Sequence, residues 1–148
     1  MEIRSEHTHH VGRSVDEVWD AINRVDDYRV WWPWLRRFAA EGVVEGDEWR
    51  CTVQPPLPYS LRFTISIDDV EIGPDERRVA ATVAGDIVGT ATLRLSPSDR
   101  GCAIDLGSVL RPDNRALQVV SKIAPWMARS GHDWVIRTGL HQFRRRAW

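Results

Sequence analysis

A chain of 148 residues has room for one self-sufficient hydrophobic core and not comfortably for two. Its 43% hydrophobic and 28% charged residues exclude a disordered chain, and a net charge of −1 gives no global attraction to nucleic acid or to an anionic membrane. Cys51 and Cys102, the only cysteines, are too few for a disulfide framework or a thiolate zinc site.

The first ten residues, MEIRSEHTHH, hold no apolar signal-peptide core, and no apolar run approaches the ~20 residues of a membrane span. The expectation is one domain over residues 1–148, located in the cytoplasm. Residues 2–11 alternate, with Ile3, Ser5, His7, His9 and Val11 on one face, as in a strand. Ser14 and Glu17 have the spacing of a capping box, and Val15, Val18, Trp19 and Ile22 form the apolar stripe of a short helix ending near Arg24. A second short helix begins at Val25-Asp26-Asp27-Tyr28. Pro33 limits it, because the residue before a proline is pushed out of helical geometry. The stretch YRVWWPWL (28–35) that follows is unusually rich in tryptophan. Its expected division is Trp32 as an anchor for the short helices, Trp31 partly exposed, and Trp34 reaching a cavity wall.

The middle of the chain reads as strands: 37–44, 49–54, 60–67, 77–84, 87–96 and 102–111, separated by turn residues such as Glu45-Gly46-Asp47 and Gly73-Pro74-Asp75. The segment QPPLPY (54–59) reads as a loop, since proline cannot donate to a ladder, and it is a candidate lid. Beyond Pro112 the period changes to that of a helix. Asp113 is the expected cap, Leu117, Val120, Ala124, Met127, Gly131 and Val135 share a face, and Pro125 should bend the run. The element order predicts an α+β domain. In it a curved antiparallel sheet of about six or seven strands wraps a long C-terminal helix, with two short helices after the first strand.

This order, together with SVDEVWDAI (14–22), VDDYRVWWPWL (25–35) and the closing helix after RPDN (111–114), resembles the START-like (SRPBCC) superfamily, in particular its polyketide cyclase/dehydrase-like members. The resemblance implies the helix-grip fold and an internal cavity between sheet and long helix. It implies no single activity, because the superfamily includes lipid carriers, hormone receptors and aromatase/cyclases.

The residues expected to face that cavity are Trp34, Phe38, Trp49, Phe63, Ile65 and Leu106 from the strand side, and Met127, Gly131 and Trp134 from the helix. Binding of an apolar or aromatic small molecule, lipid- or polyketide-like, is the leading expectation. An aromatase/cyclase-type enzyme is the second, with His7, His9 and His132 as candidate proton-transfer groups near Arg129 and Asp133. A filled-core structural or partner-binding protein is the third. His7 and His9 share a strand face in a way zinc sites use, but no third ligand has supporting spacing, so no metal and no cofactor are expected. Neither cysteine has a catalytic signature, and both fall on apolar strand phases. The expected partner is a hydrophobic ligand. Nucleic acid is not expected, and a homodimer stays open.

Overall fold

The computed structural model describes residues 2–55, 60–123 and 125–148, without the side chains of Val120, Ser121, Ile123, Pro125, Met127 and Ala128. The strands are β1 (Ile3–Val11), β2 (Leu35–Ala39), β3 (Glu48–Val53), β4 (Leu61–Ile72), β5 (Arg77–Gly85), β6 (Ile87–Ser98) and β7 (Gly101–Pro112). They form one antiparallel sheet in the order β1-β7-β6-β5-β4-β3-β2, so the first strand closes on the last. Between β1 and β2 run α1 (Val15–Asn23), a 3-10 turn (Val25–Asp27) and α2 (Tyr28–Trp31). The chain ends in α3 (Arg115–Ile123) and α4 (Pro125–Arg146). This is an α+β helix-grip fold, a curled half-barrel closed by the C-terminal helix.

Register explains which side chains meet inside. Ile67 of β4 pairs with Ala81, Ala81 with Ala91, Ala91 with Ser108, and Ser108 with Ser5, giving one row across the concave face. The next row runs from Val79 through Leu93 and Leu106 to His7. The two alanines make the first row shallower than the Val79–Leu93–Leu106 row beside it.

The short helices are set by local chemistry. Ser14 caps α1, accepting the Glu17 amide, while the Glu17 carboxylate reaches back to the Ser14 amide. α1 lies against β6 and β7 and buries Val18 and Ala21 in the cluster that holds Leu95 and Cys102, all of them 0% exposed. Burying a side chain the size of Leu95 contributes about 2 kcal/mol. Phe143 and Ala147 of the C-terminal segment complete the same cluster.

The closing helix is described in two stretches, α3 and α4, on either side of residue 124, which lies outside the described residues. Three expectations are corrected. The cap of α3 is Asn114 rather than Asp113: the Asn114 side-chain oxygen accepts the amides of Ala116 and Leu117. The strand expected at 37–44 spans Leu35–Ala39, and Asp47 organises the turn that follows. β4 also outruns its apolar alternation. A register shift between Ile67 and Asp69 changes its phase, so the inward pattern resumes at Val70, opposite Val79.

Candidate functional site

Between the concave face of the sheet and α4 lies a cavity of about 350 Å³. The sheet contributes Trp49, Phe63, Ile65, Ala81, Ala91 and Leu106, and α4 contributes Val135, Ile136, Gly139, Leu140 and Phe143. Tyr28, Trp32 and Trp34 close it from the helix join. Period-two alternation in the strands and the i, i+3, i+4 spacing in α4 turn these residues to the same interior.

The aromatic wall is fixed by hydrogen bonds at its edges. Trp32 Nε1 donates to the Gly139 carbonyl at 2.8 Å, Trp34 Nε1 to Gln142 Oε1 at 2.8 Å, and Trp49 Nε1 to the Gly42 carbonyl at 2.9 Å. With each indole N–H occupied by protein, the three rings have no free donor for a ligand. Tyr28 is the hub. Its ring lies 4.8 Å from Trp32, 5.2 Å from Phe38 and 5.7 Å from Trp49, centroid to centroid. Its hydroxyl donates to the Ile22 carbonyl, and burial pushes its pKa up, so it stays protonated.

Of the residues expected from the sequence, Trp34, Phe38, Trp49, Phe63, Ile65 and Leu106 lie on the wall. Gly131 and Trp134 do not. Gly131 is buried on the same face as Val135 but one turn earlier, past the cavity's end, and Trp134 sits about 100° round the helix from Val135. Trp134 instead meets Trp34 edge-on at 6.1 Å. The Met127 side chain and most of the candidate lid, residues 56–59, lie outside the described residues. Trp31, expected to be partly exposed, is 2% exposed. It packs on Phe143, and the Arg24 guanidinium lies 5.4 Å from its ring centroid. Sequence reasoning missed Tyr28, Trp32 and Gly139 as wall residues. The glycine eight positions after Gly131 was the available signal for the last.

The three candidate histidines are off the wall. They line the seam between β1 and α4, beside the cavity. His132 Nε2 lies 3.2 Å from Ser108 Oγ, which lies 2.9 Å from Ser5 Oγ. Its Nδ1 is 3.8 Å from the Asp133 carboxylate and has no hydrogen-bond partner among the described residues. Burial lowers the His132 pKa, with His7 adding to the effect and Asp133 opposing it. His9 is likewise held low by burial first, then by Arg144, His10 and His141, and its buried Nε2 is also unpartnered among the described residues. Among the described residues, no three His, Cys, Asp or Glu side chains gather as a metal site.

Cys51 and Cys102 are buried free thiols, and burial pushes Cys51 up to about 12, far from a reactive thiolate. Asp86 is a structural tie. Its carboxylate accepts the Arg62 amide and the Asn114 side-chain amide, fastening the β5–β6 turn to the start of α3. A second hollow, of about 390 Å³, lies on the opposite sheet face around Gly107. Exposed Arg4, Glu6, Thr90 and Thr92 rim it, so it excludes little water.

A family model described as "Polyketide cyclase / dehydrase and lipid transport" matches residues 2–147. No curated protein matches the chain in sequence. Among solved structures it is similar to the Zhui aromatase/cyclase from Streptomyces sp. R1128, with a TM-score of 0.77 at 15% identity over 99% of this chain and 94% of that one. A protein of Thermus thermophilus gives a TM-score of 0.72 at 11% identity, over 99% and 97% of the two chains. Norcoclaurine synthase from Thalictrum flavum, solved in complex with dopamine and hydroxybenzaldehyde, gives 0.56 at 14% identity, over 93% and 88%. At these identities the likeness is one of fold. Among the described residues, no helix is long and apolar enough to cross a membrane.

Proposed function

The chain belongs to the polyketide cyclase/dehydrase and lipid transport family, and on that premise we propose that it binds an apolar or aromatic small molecule in the cavity beneath α4. The observation that carries the reading is the cavity itself: about 350 Å³ walled by aromatic and aliphatic side chains whose polar edges are already hydrogen-bonded. Such a wall rewards burial of apolar area at about 25 cal/mol per Å² and gives water few partners. It weighs against a filled-core protein.

Native mass spectrometry of protein recovered from its own host tests the reading, supported by titration of naphthalene against tryptophan emission. An apolar adduct, or quenching that saturates, is the expected result. Absence of both overturns the reading. A second reading, an aromatase/cyclase-type enzyme, is favoured by the His132–Ser108 hydrogen bond close to the cavity. It requires turnover that is lost in His132→Gln while ligand binding is retained.

A further inference from the structure

The shallow inward row of Ile67, Ala81 and Ala91, which leaves the cavity its room, ends in polar groups. Ala91, on the wall, pairs directly with Ser108, and Ser108 pairs with Ser5. Leu106, also on the wall, lies two residues before Ser108 on the same face of β7. On α4, wall residues Val135 and Ile136 follow His132 by three and four positions, one helical turn away. The linked polar chain Ser5–Ser108–His132 lies at the β7–α4 edge one step beyond these wall residues; its members do not line the cavity themselves, and Ser5 and Ser108 also border the hollow on the other sheet face.

We propose that this chain is the polar pole of the cavity and that Ser108 Oγ accepts one hydrogen bond from a ligand hydroxyl. The proposal rests on the reading that the cavity binds an apolar body. Valence decides what the pole accepts. The Asp133 carboxylate at 3.8 Å favours the proton on His132 Nδ1, which leaves Nε2 as an acceptor. Ser108 then donates to His132 and accepts from Ser5, keeping one lone pair in hand. A group that donates satisfies that lone pair, and a group that only accepts does not. The ligand class is an apolar ring system or chain bearing a hydroxyl at one end, and the hydroxyl sets which end enters first.

Three probes of nearly one shape test this on the wild-type protein: naphthalene, 2-naphthol and 2-methoxynaphthalene, titrated against tryptophan emission. The expected order puts 2-naphthol about fivefold tighter than the other two, the size of one net hydrogen bond. In Ser108→Ala the ratio of the naphthol and naphthalene affinities collapses toward one. In Ser5→Ala, which leaves the Ser108–His132 bond, part of the preference remains. Equal binding of all three probes by the wild-type protein overturns the pole while leaving the apolar cavity standing. So does methoxynaphthalene matching naphthol, or a preference that survives Ser108→Ala. Failure of naphthalene itself to bind overturns the cavity reading on which the pole rests. The wild-type comparison needs no variant to fold.

Discussion

Trp32 donates its indole N–H to the backbone carbonyl of Gly139, 107 residues away, at 2.8 Å. The bond forms because Gly139 has no side chain. A Cβ built there would meet Trp34 Cζ2 at 3.3 Å and Trp32 Nε1 at 3.8 Å. The glycine therefore sacrifices about 1 kcal/mol of helix propensity to let two indoles lie against α4. A β-branched side chain cannot be accommodated by small shifts, because both rings are held at their edges by Gly139 and Gln142. Gly139→Val is expected to lower stability by about 2 kcal/mol despite its better helix propensity and to weaken naphthalene binding. Urea unfolding and probe titration check this, and an unchanged midpoint with unchanged affinity would contradict it.

The fold was legible because its signals are periodic. The capping box at Ser14–Glu17 and the alternation through Leu61, Phe63, Ile65 and Ile67 fix elements from neighbours in sequence. The aromatic wall was only partly legible. Phe63 and Leu106 follow from strand phase, but Tyr28 is a hub because Trp32, Phe38 of β2 and Trp49 of β3 converge on it, which no local pattern records. Trp31 ran against expectation for the same reason: its cover comes from Phe143 and Arg24, one of them over a hundred residues away. The helix stripe put Gly131 on the inward face, but the cavity begins one turn later along α4, at Val135, which a face pattern does not record.

Asp47 links a turn to the cavity. Its Oδ2 accepts the amides of Glu41 and Gly42 and the indole N–H of Trp49. Those hydrogen bonds, led by that from Gly42, hold its carboxyl below the usual range. Removing the acceptor frees the loop and one wall ring together. Asp47→Ala is expected to cost about 1–3 kcal/mol and to weaken probe binding through the loosened Trp49. Asp47→Asn keeps one acceptor oxygen and should recover part of both losses. Binding untouched by Asp47→Ala would show that Trp49 is positioned by its packing alone.

His9 and His132 both titrate below their ordinary value of 6.5, chiefly through burial. Just below that pH the unfolded chain binds more protons than the folded one, so stability rises with pH there. Their contribution is fully present above about 6.5 and is lost as pH falls from that value through the lowered folded pKa values. Arg144, His10 and His141 add to the effect of burial at His9, while at His132 His7 adds to it and Asp133 opposes it. Thermal midpoints are expected to fall between pH 6.5 and about pH 5, before most carboxylates titrate. The fall should be shallower in His9→Gln. Parallel profiles for the two proteins would remove His9 from the account.

Ala81 decides between a void and a packed interior. It is 8% exposed, lies on the cavity wall, and sits between Ile67 and Ala91 in the shallow row. In a filled core, Ala81→Leu would force neighbours off their rotamers and cost about 1–3 kcal/mol. In a cavity of about 350 Å³ the added carbons replace empty space. The variant should then be at least as stable as the parent, with a gain of about 1 kcal/mol from new apolar burial. The same carbons take room from a ligand, so naphthalene affinity should drop about tenfold or more as stability holds or rises. The two readouts move in opposite directions only if the space is real and is where the ligand sits. A variant that unfolds more easily and still binds would place the ligand elsewhere.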